Sequence, residues 1–540
     1  MRRFTTFLLG FTAPLALLPS IAVAETGTNA CDKVAAVTLP NTVVKATYLT
    51  TQAQVDQAFA TPDSRAGSTA MKATLPLCRI EVTITPAPGA EIKSEFWLPP
   101  MEKWNGRFLS IGAGGSAGFI DRRALASGSA QGYAVSTSDA GSHSPVLLQM
   151  SFGQNPEWRE NFAHRGVHLT AVAGKALVQA HYQSAPKASL FMGCSGGGYE
   201  AMSLVNHHPD DYDGIIAGDP ALDWEKTSLW QGTVYNATSA PGAAIPRAKL
   251  AGLNKALVAQ CDALDGVKDG VLDDPRRCKP DFKALLCKAG DANDCMAAPQ
   301  ITALEKIYAP FKHPRTGELL FPGFTVGAED MPATRSRLAG EPDGSTVTVH
   351  QPGPLVWFKP DFTAKDWATF DFDKGTDKAI KDFAPWVNSS PDLKAFKASG
   401  GKFIMYTGWA DPNLNPENMV NFYDKLKKTM GEGEAQAFSR AFMVPGMGHC
   451  SGGPGPNVFG QDIGGSLGRQ NDAGNNILMA LDRWVTDGVA PEQIIATRYV
   501  DNDRNKGVQR TRPLCAYPKV ARHGGTGSTD DAKNFACVAP

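Results

Sequence analysis

The segment Gly193-Cys194-Ser195-Gly196-Gly197-Gly198 follows the apolar run Ser189-Leu190-Phe191-Met192 and precedes the helix-compatible Tyr199-Glu200-Ala201-Met202-Ser203-Leu204. A G-x-S-x-G turn between strand and helix lifts a serine hydroxyl clear of the chain, and its glycines let the two elements approach closely. Such a hydroxyl is a nucleophile for acyl transfer only if a base takes its proton and an acid orients the base. The N–H of the next residue, Gly196, would then face a developing oxyanion. The bland alternative is a glycine-rich turn with an idle serine. The strand-like run before it favours chemistry.

On scaffolds of this kind the acid and then the base follow the serine along the chain. Among the histidines well beyond Ser195 and the start of the middle region (His313, His350, His449, His523), His449 stands out. It lies in Pro445-Gly446-Met447-Gly448-His449-Cys450, a glycine-rich loop after the apolar Ala441-Phe442-Met443-Val444. Asp411, in Gly408-Trp409-Ala410-Asp411-Pro412, follows the strand-like Lys402-Phe403-Ile404-Met405-Tyr406 and is the natural orienting acid. Cys194 precedes the serine and Cys450 follows the histidine. A bond between them would hold their Cα atoms within about 7 Å and so bring the two loops together. The ten cysteines suit an oxidising compartment. Proximity suggests the pairs Cys261–Cys278, Cys287–Cys295 and Cys515–Cys537, and Cys31–Cys78 with Cys194–Cys450 is the simplest completion. Different pairings, or a buried free thiol at Cys194, stay open.

Gly112-Ala113-Gly114-Gly115-Ser116-Ala117-Gly118 follows the short apolar run Arg107-Phe108-Leu109-Ser110-Ile111. An early glycine loop supplies the second oxyanion N–H in hydrolases of the strand–turn–helix type, here from Gly114 or Gly115. The same residues match a dinucleotide fingerprint, but that motif is weak alone. Two histidines spaced four apart, His164 and His168, have the spacing of a zinc protease pair, yet Arg165 stands where the catalytic Glu is required. They read as helix-surface or core histidines, and His207-His208 as a helix end before Pro209. In Cys261-Asp262-Ala263-Leu264-Asp265-Gly266-Val267-Lys268-Asp269-Gly270-Val271-Leu272-Asp273-Asp274, acids alternate with turn glycines. Close carboxylates with turn carbonyls suit Ca²⁺ in a structural role. The spacing is not that of an EF-hand, and the competing reading is a solvated acidic turn.

Strand-like runs at Val82–Thr85, Glu95–Leu98, Arg107–Ile111, Tyr133–Thr137, Ser189–Met192, Gly214–Ala217 and Lys402–Tyr406 alternate in part with helical stretches such as Phe162–Tyr182. That alternation predicts a mostly parallel sheet in an α/β fold. The middle is richer in Asp, Lys, Pro and Cys and reads as an insertion over the sheet. The expected division is a leader over 1–24, a first core part over 25–223, a lid insertion over 224–390 and a second core part over 391–540. Several insertion aromatics (Trp224, Trp230, Trp357, Phe358, Trp367, Phe370) are candidates for an acyl pocket, most of them for packing alone. The leader begins Met1-Arg2-Arg3, continues apolar and ends Ala22-Val23-Ala24. This is the pattern of a cleaved export signal, and implies a secreted or periplasmic protein. With 53 Lys+Arg against 54 Asp+Glu and no basic cluster, nucleic acid is excluded as a partner. No later window is apolar enough to span a membrane.

Taken together, Gly193-Cys194-Ser195-Gly196-Gly197, Gly408-Trp409-Ala410-Asp411-Pro412 and Gly446-Met447-Gly448-His449-Cys450-Ser451-Gly452-Gly453-Pro454-Gly455-Pro456 resemble the tannase and feruloyl esterase family, which includes bacterial MHET hydrolases. The resemblance covers nearly the whole chain after the leader. It implies an α/β-hydrolase core with a large lid, and hydrolysis of small aromatic carboxylic esters of feruloyl, hydroxycinnamoyl or galloyl type without an organic cofactor. It further implies a calcium loop of Asp262, Asp265, the Val267 carbonyl, Asp269 and the Val271 carbonyl, and a five-bridge set of cysteines. A mono-terephthalate ester is a second candidate substrate, for which Arg335 or Arg337 would recognise a carboxylate. A peptidase, or a non-catalytic binding protein, could be built on the same scaffold.

Overall fold

The structure, a computed structural model, describes residues 30–61, 71–144, 150–331, 338, 353–461 and 472–540. The leader over 1–24 and both Arg335 and Arg337 lie outside the described residues. In chain order the first strands are β1 (Thr42–Leu49), β2 (Leu77–Ala87), β3 (Ala90–Leu98), β4 (Arg107–Ile111), β5 (Ala134–Ser138), β6 (Ala188–Cys194) and β7 (Gly214–Gly218). A small antiparallel pair follows, β8 (Phe311–Lys312) and β9 (Leu319–Phe321), and then β10 (Lys402–Gly408) and β11 (Ser439–Val444). All but β8 and β9 form one nine-stranded sheet in the order β1-β2-β3-β5-β4-β6-β7-β10-β11. Six of these, from β5 to β11, pair in parallel, while β1, β2 and β3 form an antiparallel edge.

The parallel strands are largely apolar because helices cover both faces. Every residue of β5, β6 and β7 is buried. Side-chain alternation divides them between two cores. Phe403 and Met405 enter one cluster with Phe191, Ala171 and Leu177. Ile404 and Tyr406 enter the other with Leu190, Met192, Leu478 and Trp484. The helices concerned are Gly166–Tyr182 and Gly196–His207 on the first face, and Ile477–Asp487 on the second. The helical stretch expected from Phe162 begins as a π-helical turn, Asn161–Arg165, and becomes α-helical at Gly166.

Between β7 and β10 no strand among the described residues joins the large sheet. That region has its own cores. One gathers Trp230, Leu253, Leu257, Ile301 and Phe321, and another gathers Leu229, Trp357, Phe362, Trp367 and Phe383. The C-terminal part adds two antiparallel pairs, β12 (Gln493–Tyr499) with β13 (Val508–Cys515), and β14 (Val520–His523) with β15 (Phe535–Val538). Among the described residues no helix is long and apolar enough to cross a membrane.

Candidate active site

Parallel strands deliver their following loops to one edge of the sheet, and ligand sites form there. Here the loops after β4, β6, β7, β10 and β11 meet. Ser195 follows β6 with φ 63° and ψ −117°, a left-handed conformation that a residue with a side chain adopts only under constraint. Its N–H donates to the Gly218 carbonyl at 3.0 Å, and its own carbonyl accepts from Tyr199 N at 2.9 Å. The glycines around it are required by closeness. A methyl group on Gly193 would collide with the Gly197 carbonyl, and one on Gly198 with the Gly218 carbonyl.

The structure brings Ser195, His449 and Asp411 into one hydrogen-bonded line. Ser195 Oγ lies 2.8 Å from His449 Nε2, and His449 Nδ1 lies 2.7 Å from Asp411 Oδ2. The Asp411 carboxylate is fully buried while the imidazole keeps 20% exposure, so His449 stays within reach of an entering molecule. The second oxygen, Asp411 Oδ1, accepts from the Asn413 and Leu414 N–H groups at 2.7 and 3.1 Å. These bonds fix which oxygen faces the histidine. Disulfides join Cys31 to Cys78, Cys194 to Cys450, Cys261 to Cys278, Cys287 to Cys295 and Cys515 to Cys537. The Cys194–Cys450 bridge holds Cα atoms 6.0 Å apart across 256 residues of chain. It therefore ties the serine loop to the histidine loop. Replacing both cysteines by alanine is expected to lower kcat about 10²-fold through loss of alignment. Far-UV circular dichroism should stay near that of the parent, so comparing it with turnover checks the point.

Of the two glycines considered for the second N–H, Gly115 is the one against the Ser195 turn. A methyl group on Gly196 would sit 2.9 Å from Gly115 N and collide with its carbonyl, whereas one on Gly114 meets nothing within 4 Å. Gly112 packs equally tightly on the helix start, where a methyl group would lie 2.8 Å from the Gly197 Cα.

Two buried acids join the site that no sequence motif had marked. Asp219, just past β7, accepts from Thr407 Oγ1 at 2.7 Å and Gly408 N at 2.9 Å through Oδ1, and from Cys450 N at 2.9 Å through Oδ2. One carboxyl group thus connects the ends of β7 and β10 to the histidine loop. Burial, and then the nearby Asp411 carboxylate, push it up to about 7. Glu200 projects from the helix Gly196–His207, and its Oε2 accepts from Ala113 N at 3.0 Å. Burial pushes it up to about 8 from 4.5. A carboxyl with a raised folded-state pKa binds more protons folded than unfolded, so its contribution is full below about 4.5 and is lost as pH rises through about 8. Glu200→Gln retains an acceptor for Ala113 without this titration. Its Tm relative to the parent is expected to rise between pH 5 and pH 8, measured by thermal melts at both. Asp219 has the weak signal of an acid at a parallel strand's C-terminal end. Glu200 has that of a lone acid in an apolar helix.

The acidic loop turns several carboxylate oxygens onto its own backbone. Asp262 Oδ1 accepts from Gly270 N at 2.9 Å and Asp265 Oδ1 from Val267 N at 2.8 Å. Asp269 pairs with Arg510 and Arg512 at 2.9 and 2.7 Å. Asp273 is the under-compensated member. Its Oδ1 is buried without a hydrogen-bond partner, and Arg512 Nη1 stands 3.8 Å away. Burial and then the Asp265 charge push Asp273 up to about 7. The loop thus keeps carboxylate charge that its arginines offset only in part.

The insertion aromatics divide by position. Trp367 is fully buried and Trp230 stacks on Phe321 at 4.6 Å, so both are packing residues. Phe358 is exposed. Trp224 differs, because it meets Tyr199 of the helix Gly196–His207 at 5.8 Å and Phe162 at 5.9 Å.

The family model described as tannase and feruloyl esterase matches residues 78–538. An uncharacterized esterase of Xanthomonas campestris is 35% identical, over 97% of this chain and 94% of its own length. A probable feruloyl esterase B-1 of Aspergillus flavus is 32% identical over 87% and 88%. Among solved structures, feruloyl esterase B from Aspergillus oryzae superposes with a TM-score of 0.83 at 28% identity, covering 94% of this chain and all of that one. Tannin acyl hydrolase from Aspergillus niger, 21% identical over 94% of each chain with a TM-score of 0.72, shares the fold. With a match across most of its length to the family model and to full-length relatives, the chain belongs to the tannase and feruloyl esterase family.

Proposed function

We propose that this protein is an exported serine esterase that hydrolyses hydroxycinnamoyl or galloyl esters through an acyl-enzyme. The observation that carries the reading is the line from Ser195 Oγ to His449 Nε2 to Asp411, with hydrogen bonds of 2.8 and 2.7 Å. His449 takes the Ser195 proton as the oxygen attacks the ester carbonyl, and Asp411 stabilises the imidazolium and holds its orientation. The N–H groups of Gly196 and Gly115 receive the oxyanion. The imidazolium then protonates the departing alcohol. In the second half, His449 deprotonates water, which releases the acid and restores the serine. Half-buried Trp224 packs against the buried Tyr199 and Phe162 at the helix after Ser195, and the feruloyl esterases among the relatives support an aromatic acyl group.

The test is a panel of hydroxycinnamate, gallate and mono-terephthalate esters, with matched amides, given to the mature protein. Turnover of hydroxycinnamate or gallate esters is expected to exceed that of the rest. Faster amide cleavage would indicate a peptidase, and no turnover a binding protein.

Calcium belongs to this proposal as a structural ion. Asp262, Asp265 and Asp269, with the Val267 and Val271 carbonyls, would hold it, and its charge would offset the carboxylates of the loop. Chelation is expected to lower Tm by about 2–3 °C, as loss of a ligand present at about 100 times its Kd would. Calcium but not magnesium should restore it in a thermal melt. Export rests on the leader sequence, and the five disulfides support it.

A further inference from the structure

Two histidine pairs that are far apart in the sequence form one cluster. His207 closes the nucleophile helix Gly196–His207 and His208 follows it. His164 lies in the π-helical turn Asn161–Arg165, and His168 one turn later in the helix Gly166–Tyr182. The twelve residues of the nucleophile helix, at about 1.5 Å each, place the cluster some 18 Å from Ser195. It is a separate site at the far end of that helix.

His168 Nδ1 lies 2.8 Å from Asp211 Oδ2, and His164 Nδ1 lies 3.1 Å from His208 Nε2. The His168 and His208 rings stack with centroids 3.9 Å apart, and His207 lies over His164 at 5.1 Å. Glu160 contacts the far nitrogen, His164 Nε2, at 2.9 Å. One ligand atom from each of His168, His208 and Asp211 falls within 4.8 Å of the rest of the trio. Two imidazoles and a carboxylate are a ligand set for zinc-class ions, and neither the fold's cores nor the proposed mechanism uses them. Asp211 is held in place because its N–H donates to the His208 carbonyl at 3.1 Å, closing a turn around Pro209. His168 is 32% exposed, so an ion has a way in from solvent. The negative end of the helix dipole also favours a cation here, and π-helical turns occur often at functional sites.

We propose that His168, His208 and Asp211 bind one divalent transition-metal ion of the zinc, copper or nickel class, with water completing its coordination. On binding, His168 Nδ1, Asp211 Oδ2 and His208 Nε2 turn to the metal; the proton between His168 and Asp211 passes to solvent, and the proton between His164 Nδ1 and His208 Nε2 stays on His164. The ion then cross-links the helix Gly166–Tyr182 to the loop after the nucleophile helix. Its role is structural.

The mature protein, stripped by chelator and held in millimolar calcium to fill the acidic loop, is titrated with Zn²⁺ by calorimetry. One Zn²⁺ per chain is expected, and His168→Ala and His208→Ala should each weaken it at least tenfold, about the least that disturbing a metal's surroundings costs. His523→Ala, at a half-buried position far along the chain, serves as the control and should bind as the parent does. Ester turnover should persist in all three variants. Should an alanine variant misfold, electron paramagnetic resonance of Cu²⁺ added to the unaltered protein reads the ligands directly, with nitrogen hyperfine structure from two imidazoles expected. Absence of saturable Zn²⁺ binding, affinity unchanged in both site variants, or a Cu²⁺ spectrum without nitrogen ligands would overturn the proposal.

Discussion

Replacing Ser195 by alanine is expected to lower kcat on an aromatic ester by about 10⁴- to 10⁶-fold, the range seen when a triad member is lost. The size follows from the geometry. Ser195 Oγ is the atom hydrogen-bonded to His449 Nε2, so without it the imidazole has only water to activate. The fold should be untouched, because the strain at Ser195 lies in a backbone fixed by Gly218 and Tyr199, which alanine leaves in place. Initial rates and a thermal melt on the same preparation separate the two effects. A loss below about tenfold would move the nucleophile elsewhere.

Asp411→Asn is expected to cost about 10⁴-fold in kcat with KM little changed. Asp411 Oδ1 accepts two backbone N–H groups, from Asn413 and Leu414, while Oδ2 faces His449 Nδ1. An asparagine must keep its oxygen toward those two donors, since an NH₂ group there would meet N–H against N–H. Its NH₂ group then faces Nδ1 and makes that nitrogen an acceptor. The ring proton moves to Nε2, which can no longer take the serine proton. Steady-state kinetics should show kcat falling alone. A rise in KM with kcat preserved would instead mean that Asp411 acts in binding.

Part of this site was legible because tight turns and cross-links leave marks in composition. The glycines at 193, 196, 197 and 198 are there because no side chain fits beside the neighbouring carbonyls and backbone atoms. Cysteines directly beside Ser195 and His449 indicated that two distant loops meet. The strands at Leu190, Ile215 and Phe403 were readable as short apolar runs because both faces of the sheet are covered. The edge strand β1 was not, since Val43 and Tyr48 are exposed and blur its alternation. Nor were the C-terminal pairs, where Cys515–Cys537 ties β13 to β15 and neither β14 nor β15 has a fully buried residue to mark an apolar face.

What sequence alone could not supply were relations made by tertiary packing. Asp219 matters because β7 and β10 are neighbours, which brings its carboxylate to Gly408 and Cys450. Glu200 matters because the loop after β4 lies on its helix. The spacing of His164 and His168 was visible, as was the doublet His207-His208. Only the packing of their two helices makes one cluster of them.

The most direct measurement is mass spectrometry of the protein acid-quenched during turnover of a slow hydroxycinnamate ester. The account predicts a mass gain of one acyl group per chain, carried by the peptide that contains Ser195 and absent from Ser195→Ala. Turnover with an unmodified Ser195 peptide, or with the acyl group on another residue, would contradict it.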